Sequence, residues 1–409
     1  MQTLVSAKAI STRAHTALSD APAADASDRP ESEWSETWRL MPNEPHSIVF
    51  WEMTPGCDQH SDDRPFPISR SLNALSTFES YKLIDQVAAL SPNEFVLTGG
   101  DPLRRNDLHE LIRYARRRSL DPALLVTPGT RLTYESIAEL KRSGLTRLIF
   151  DVDGSSPSVH DGIHDDRGAF AATTRAMRWA RTMDLSVEVN TLITRRNADD
   201  LVAIVDLIRQ FSIERWNIYF VVPAEMKMSG DVLTANETEN AFATIYAVSQ
   251  SAPFEVRTVE APHYRRFLLQ RALESQHKAH EAWTDFSAFD DGDDATMSDV
   301  VRAAVAGPNG YVFISHAGEV RASEFLPLPA GNVRYRPLPA IYRDAPLFEE
   351  LRDPSNLKGK CGHCEFKEIC GGSRARAWAM TADLFASDPL CAYRPGRTNG
   401  AKENDLALV

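Results

Sequence analysis

From Ser47 onward the chain alternates short runs rich in β-branched and aromatic residues with longer stretches whose apolar positions recur every three or four residues. The short runs match buried strands and the long ones match amphipathic helices. On this reading strands are expected at Ile48–Met53, Glu94–Thr98, Ala123–Thr127, Arg147–Val152, Ser186–Ile193 and Arg215–Val222. Helices are expected near Phe78–Leu90, Asp107–Arg118, Tyr134–Ser143, Ala169–Thr182, Ala198–Phe211 and Glu237–Gln250, with Leu108, Leu111, Ile112 and Tyr114 showing the spacing. Residues suited to cap them stand at Ser76 or Thr77, Asn106, Thr133 and Asn197.

Strict alternation of strand and helix calls for parallel strands joined by right-handed crossovers. A doubly wound sheet and a partial (βα)6 barrel both satisfy it, whereas a full eight-unit barrel does not, since six units precede residue 250. In either fold ligands sit at the carboxyl ends of the strands. That brings Thr54–Cys57, Gly99–Asp101, Thr127–Gly129, Asp151–Gly154, Asn190–Thr191 and Pro223 onto one rim. Residues 284–299 hold six aspartates and read as a solvated linker or lid. After them Tyr311–Ser315 and Glu319–Ala322 flank His316, Ala317 and Gly318 as a hairpin. The expected organisation is a disordered segment at 1–45, the barrel at 46–260, a helical and acidic linker at 261–305, a small cysteine-rich domain at 306–395 and a flexible tail at 396–409.

Charge and hydropathy narrow the partners. Against 45 Lys and Arg stand 57 Asp and Glu, a net charge of −12, so no basic excess exists to displace counterions from a nucleic acid. The mean hydropathy is −0.32 and apolar runs such as Ile218–Val222 are far shorter than a membrane span. The amino terminus shows no secretory apolar core, and its many acids speak against a transit peptide. A cytoplasmic protein with no nucleic-acid or membrane partner is expected, and there cysteines are rarely disulfides.

Of the five cysteines, Cys57 stands alone and four bunch near the end as Cys361-x2-Cys364-x5-Cys370-x20-Cys391. A Cys-x-x-Cys pair sets two sulfurs on one tight turn, and further cysteines complete a tetrahedral set. Gly362, Gly371 and Gly372 supply turn residues between them. Four thiolates suit zinc or an iron–sulfur cluster. Spacing alone leaves both open.

Around these cysteines the sequence runs from Gly310-Tyr311-Val312-Phe313-Ile314-Ser315-His316 through Phe325-Leu326-Pro327-Leu328 and Gly331-Asn332-Val333-Arg334. It continues into Lys360-Cys361-Gly362-His363-Cys364-Glu365-Phe366, Cys370-Gly371-Gly372-Ser373-Arg374-Ala375-Arg376-Ala377 and Asp388-Pro389-Leu390-Cys391. This resembles the C-terminal SPASM-type extension of radical SAM proteins, in the group that includes heme- and heme d1-tailoring enzymes beside peptide-modifying relatives. The resemblance covers residues 47–395. It implies a partial barrel, an auxiliary [4Fe–4S] cluster on Cys361, Cys364, Cys370 and Cys391, and a small-molecule, tetrapyrrole or peptide substrate. Ser373 occupies a place where many relatives carry another cysteine, so one auxiliary cluster is expected. Gly99-Gly100-Asp101-Pro102 resembles the family's Gly-Gly-Glu-Pro turn, which would meet the amino group of S-adenosylmethionine. Glycines there allow close backbone approach, and a carboxylate complements an ammonium. Asn190, Asp151–Gly154 and His160-Asp161 fall where relatives form the cofactor and substrate rim.

The pattern departs from the family in one loop. Radical SAM proteins carry three cysteines spaced Cys-x3-Cys-x2-Cys after the first strand. Here the loop reads Cys57-Asp58-Gln59-His60-Ser61-Asp62-Asp63-Arg64, with Ser61 and Arg64 in the second and third places. A serine hydroxyl titrates far above neutrality, and a guanidinium has no lone pair to give iron. The expectation is therefore a member without the core cluster, retaining its cleft and acting beside an active relative or redox partner; the alternatives are an active S-adenosylmethionine-dependent tailoring enzyme with an unusual core site and a four-cysteine metal-stabilised interaction module. No catalytic residue is assigned, and no Ser–His–Asp set, Walker loop or His-Glu-x-x-His occurs. Arg374 and Arg376 are expected to tune the cysteine site or to pair with Glu365 or Asp383. Trp216 and Tyr219 are expected in the core, and His316 in a turn.

Overall fold

The computed structural model describes residues 48–55, 73–126, 132–223, 230–282 and 310–396. Cys57, Ser61, Arg64, Thr127–Gly129, the aspartate-rich stretch and segment 1–45 lie outside the described residues, as does the tail beyond Gly396.

Seven strands run parallel in chain order: β1 (Ile48–Glu52), β2 (Glu94–Thr98), β3 (Pro122–Val126), β4 (Arg147–Asp151), β5 (Ser186–Ile193), β6 (Arg215–Phe220) and β7 (Glu255–Val259). Between them lie α1 (Thr77–Leu90), α2 (Leu108–Arg117), α3 (Tyr134–Arg142), α4 (Pro157–His164), α5 (Ala169–Thr182), α6 (Leu201–Arg209) and α7 (Ala235–Ser249), and α8 (His263–Ala282) follows β7. The C-terminal part adds β8 (Tyr311–Ile314), which pairs parallel to β1, and then antiparallel β9 (Glu319–Arg321) and β10 (Pro329–Asn332). All ten strands form one sheet, ordered β10-β9-β8-β1-β2-β3-β4-β5-β6-β7. Short helices α9 (Leu338–Asp344), α10 (Pro346–Arg352), α11 (Gly359–Gly362) and α12 (Arg374–Thr381) complete the chain.

The sheet curls. Arg215 on β6 reaches Glu94 on β2 at 2.9 Å, and Arg257 on β7 reaches the same carboxylate at 2.7 Å. At about 4.8 Å per strand a flat sheet would hold β2 and β7 roughly 24 Å apart. Only a partial barrel brings these side chains together, so the barrel alternative is the one observed.

Inward positions follow the period-two rule, and they sort into layers. At the amino ends of the strands Arg147, Arg215 and Arg257 interlock with Glu94, Glu188 and Glu255 over 2.6–3.3 Å. Three cations meet three anions, so this plug is neutral as a unit and closes the floor. Above it Phe50, Val96, Ala123, Ile149, Tyr311 and Phe313 pack as an apolar cluster, with Phe50 stacked on Tyr311 at 4.8 Å between ring centres. The outward face is covered by helices whose apolar stripes are buried, for example Leu108, Leu111, Ile112 and Ala115 on α2.

Capping accounts for the helix starts. Ser76, Thr133 and Thr234 each accept from the backbone three residues on, and each capping box is reciprocated. Two expected caps are corrected. Asp107, not Asn106, precedes α2, and its carboxylate takes Arg105 Nε and Thr77 Oγ1, each at 2.6 Å. Asn197 accepts from Thr194 N and donates to Asp153 O and Leu192 O, so it ties a loop rather than capping a helix.

The pattern passed over α4, β7 and β10, while α8 falls in the stretch expected as a helical linker. In β7 the sequence Glu-Val-Arg-Thr-Val places charges at its first and third positions, Glu255 and Arg257, because those residues feed the floor plug. A search for continuously apolar strands cannot find it.

The plug predicts a large penalty for breaking it on one side. Arg215→Ala strands Glu94 and Glu188 without their shared cation, and should lower stability by about 3–5 kcal/mol in urea unfolding. A loss below about 1 kcal/mol would show that the plug is not held by this residue.

Candidate functional site

The strand-end rim begins with the turn after β2. Gly99 has φ +142°, and a Cβ there would meet Thr54 Oγ1 at 2.7 Å and Thr54 N and O at 2.9 Å. Gly100 N donates to Thr54 O at 3.3 Å, and Asp101 N to Thr54 Oγ1 at 3.2 Å. Asp101 Oδ1 accepts from Leu103 N at 3.0 Å and starts a 3₁₀ turn at Pro102–Arg104. Glycine at 99 is therefore required by close backbone approach. The turn from Gly99 to Pro102 is bolted to the residue three positions before Cys57.

The β4 side of the rim is structural. Asp153 Oδ1 accepts from Leu192 N at 2.6 Å, and its Oδ2 lies 2.8 Å from His164 Nε2. Its amide donates to His160 Nδ1 at 3.1 Å. His160 is wholly buried, which holds its pKa down at about 4. Asp161 accepts from Gly168 N and Phe170 N and so starts α5. His160 and Asp161 thus build the rim rather than face a ligand.

Asn190 points into the barrel, level with Asp151 at the end of β4. Asn217 Nδ2 donates to Asn190 Oδ1 at 3.0 Å, and Asn190 Nδ2 donates to Asp151 Oδ1 at 3.3 Å. This amide ladder faces the aromatic wall of Phe50 and Tyr311 across a narrow lumen cavity. Tyr219 also lines it, while Trp216 is core and donates Nε1–H to Thr191 Oγ1 at 2.9 Å. Burial pushes the Tyr219 and Tyr311 phenols far above their usual range, so both remain protonated.

The four C-terminal cysteines come together. All are free thiols, and all line one cavity of about 370 Å³ counted to its open mouth. Cys361 lies within the α11 turn, and Cys364 N donates back to Cys361 O at 3.4 Å. Cys370 precedes the left-handed glycines Gly371 and Gly372, with φ +64° and +67°. Cys391 N donates to Asp388 O at 3.2 Å, which returns the chain to the cavity. Burial raises the Cys364 thiol to about 11 and pushes Cys370 and Cys391 upward as well. A bound cation reverses that preference and holds the sulfurs as thiolates. Among the described residues no three His, Cys, Asp or Glu side chains converge on one ion-sized point.

What fixes this cavity against the barrel is a buried ion pair. Arg376 and Asp388 have no exposed side-chain surface and pair at 3.1 Å. Arg376 also donates to Val221 O beyond β6 and to Glu260 O beyond β7. Asp388 accepts from Ser373 N at 2.8 Å and Leu390 N at 3.0 Å, which holds the Cys370 and Cys391 loops at once. The expected pairing with Glu365 or Asp383 is corrected: Asp383 takes Lys358, and Glu365 takes the Tyr393 hydroxyl. Ser373 caps α12 and donates Oγ–H to Glu260.

Two features had no sequence signal. Glu260 sits in the left-handed region at φ +55° and accepts from both Ser323 and Ser373. His316, expected only to turn the chain, places Nδ1 2.7 Å from Glu52 Oε2 on β1. Neither partner lies near in sequence, so no local pattern marks them.

A parallel half-barrel with a glycine turn at its strand ends, joined to a segment whose four cysteines line one cavity, defines a class of α/β proteins. The family comparison specifies it: residues 55–208 match the Radical SAM superfamily. The AdoMet-dependent heme synthase of Methanosarcina barkeri is 32% identical over 87% of this chain and 99% of its own length. A PqqA peptide cyclase of Rhodopseudomonas palustris is 27% identical, covering 85% of this chain and 87% of that one. The structure of Streptococcus suis SuiB bound to its precursor peptide SuiA superposes with a TM-score of 0.62 at 13% identity, over 94% of this chain and 88% of that one. The chain belongs to the radical SAM superfamily, whose relatives act on peptides or heme. Among the described residues no helix is long and apolar enough to cross a membrane.

His160 makes the rim pH-sensitive in a defined direction. Its folded pKa of about 4 lies below the ordinary 6.5, so unfolding takes up a proton between those values. Stability should therefore fall as pH drops from 6.5 toward 4, by up to about 1.4 kcal/mol per pH unit from this residue. Urea unfolding at pH 7, 6 and 5 should show a slope shallower by about that amount in His160→Gln, and equal slopes would refute the assignment.

Proposed function

We propose that this chain is a SPASM-type member of the superfamily that carries one auxiliary [4Fe–4S] cluster and lacks the core cluster. It binds, or helps to tailor, a peptide or tetrapyrrole-like molecule in the cytoplasm. The observation that carries this reading is the loop Cys57-x3-Ser61-x2-Arg64, which offers one sulfur where the superfamily's chemistry needs three. Neither an alcohol nor a guanidinium replaces a thiolate on iron at neutral pH.

The cysteine half supports the other part of the reading. Four soft donors surround a shared cavity, and Arg265, which reaches Ile369 O, lies beside Cys370. Either zinc or a cluster can take four such sulfurs, and the preference for a cluster is supported by the resemblance of the sequence around them to SPASM-type extensions. Cys361, Cys364, Cys370 and Cys391 would hold such a cluster, which supplies one-electron transfer when bound. The protein's own part is positional. The Arg376–Asp388 pair keeps that site against the β6–β7 edge, and the floor plug shields the lumen from water below.

The Gly99–Pro102 turn favours retained S-adenosylmethionine binding without its reductive cleavage. Gly99 and Gly100 keep the backbone open to a close ligand, Asp101 offers a carboxylate for an ammonium, and Asn190 supplies an amide within the barrel. The sequence conservatively replaces the acid of the family turn, and the geometry around Thr54 keeps it in place. Radical chemistry, where the pathway needs it, would come from an active relative or a redox partner.

Two measurements test this. Anaerobically purified protein should hold about four irons and four sulfides per chain, with an EPR signal lost in Cys364→Ala and unchanged in Cys57→Ala. About eight irons with reductive cleavage of S-adenosylmethionine would overturn the proposal. In titration calorimetry, S-adenosylmethionine should bind at least about tenfold more weakly to Asp101→Ala, and Gly99→Val should abolish binding. Unchanged affinity in both would remove the turn from the cofactor site.

A further inference from the structure

One buried charge in the cysteine segment lacks a counter-ion. Arg374 opens α12 directly after the Gly371–Gly372 turn and is 7% exposed. Its Nε donates to Gly372 O at 3.2 Å, and Nη1 donates to Leu384 O at 2.9 Å and Ala386 O at 2.8 Å. Its Nη2 is buried and donates to no oxygen. The Cys361 thiol faces this guanidinium, and the Cys370 thiol acts on it at longer range. Among the described residues the two other arginines buried to this degree are Arg266 at 5% and Arg376 at 0%. They pair with Glu239 and Asp388. Arg374 has no such carboxylate among the described residues. Asp388, which also influences it, is already engaged by Arg376, Ser373 N and Leu390 N.

A guanidinium buried among carbonyls is unfavourable unless an anion completes its surroundings. A neutral thiol is a weak acceptor and carries no charge to offer it. Four thiolates around a metal group can supply it, because their summed charge exceeds that of the metal. The unfilled Nη2 donor then has a sulfur acceptor, and hydrogen bonds to sulfur together with nearby positive charge favour the reduced state of a cluster.

We propose that Arg374 is the positioning residue of the four-thiolate site, donating through Nη2 to the Cys361 sulfur and compensating the negative charge of the loaded centre. This rests on the reading of Cys361, Cys364, Cys370 and Cys391 as metal ligands, and it distinguishes Arg374 from Arg376, whose charge Asp388 already neutralises.

The test uses the loaded, full-length protein with Arg374→Gln and Arg374→Lys, and metal analysis comes first. With iron bound, the readout is the midpoint potential from a spectroscopic redox titration. Arg374→Gln should make one-electron reduction about tenfold less favourable, a lowering of about 59 mV. Arg374→Lys, which keeps the charge, should restore most of it. A wild-type potential in a folded, fully loaded Arg374→Gln protein would overturn the proposal. If Arg374→Gln fails to fold, Arg374→Lys decides: a near-wild-type potential supports the electrostatic role, and loss of the cluster despite native folding overturns it. Zinc in place of iron would sink the cluster reading but not this one. Zinc should then be lost to a chelator at least tenfold more readily from Arg374→Gln than from wild type, and equal retention would overturn the role of Arg374.

Discussion

The buried pair between Arg376 and Asp388 is the joint on which the arrangement of this molecule depends. A charge pair with no exposed surface is costly unless every remaining donor and acceptor is satisfied. Here those groups are satisfied by the two parts that must be joined. Arg376 spends its donors on carbonyls following β6 and β7 of the barrel, and Asp388 accepts from backbone amides flanking the third and fourth cysteines. Burial would raise the Asp388 pKa, but the facing guanidinium and those amides hold it well below the usual carboxylate range, so the pair stays ionised. The desolvation cost is met only when the cysteine segment sits on the barrel edge.

The same economy of charge organises the barrel. Its floor is polar but neutral, with Arg215 and Arg257 each shared among glutamates from different strands, so the sheet must curl for the charges to meet. Above that floor the lumen divides into an aromatic wall on β1 and β8 and an amide wall on β4, β5 and β6. β8 belongs to the C-terminal segment, and its Tyr311 stacks on Phe50 of β1. The segment that carries the cysteines therefore also completes the lumen. The two sites are parts of one construction, linked again at Glu260, whose carboxylate receives Ser323 from the hairpin side and Ser373 from the cysteine side.

Much of this was readable along the chain. Six strands and the helices after them follow from local periodicity, because burial on a sheet or helix face imposes a repeat that neighbouring residues display. The Gly99–Pro102 turn and the cysteine cluster were visible because each is compact in sequence and chemically distinctive. Strand β7 was missed because its alternate residues are charged, and those charges make sense only beside Glu94, more than 160 positions earlier. His316 looked like a turn residue because its partner, Glu52, lies 264 positions away.

The order of amino acids by itself determined the parallel strand–helix alternation, the grouping of four soft ligands and the shortage of sulfur in the first loop, since these depend on periodicity and residue chemistry within short windows. Only the tertiary structure decided the partners of the buried charges. Arg374 and Arg376 stand two residues apart on one short helix and look equivalent in sequence. One meets a carboxylate and the other meets a thiol, because a helix turns about 100° per residue and delivers the two side chains to different neighbours.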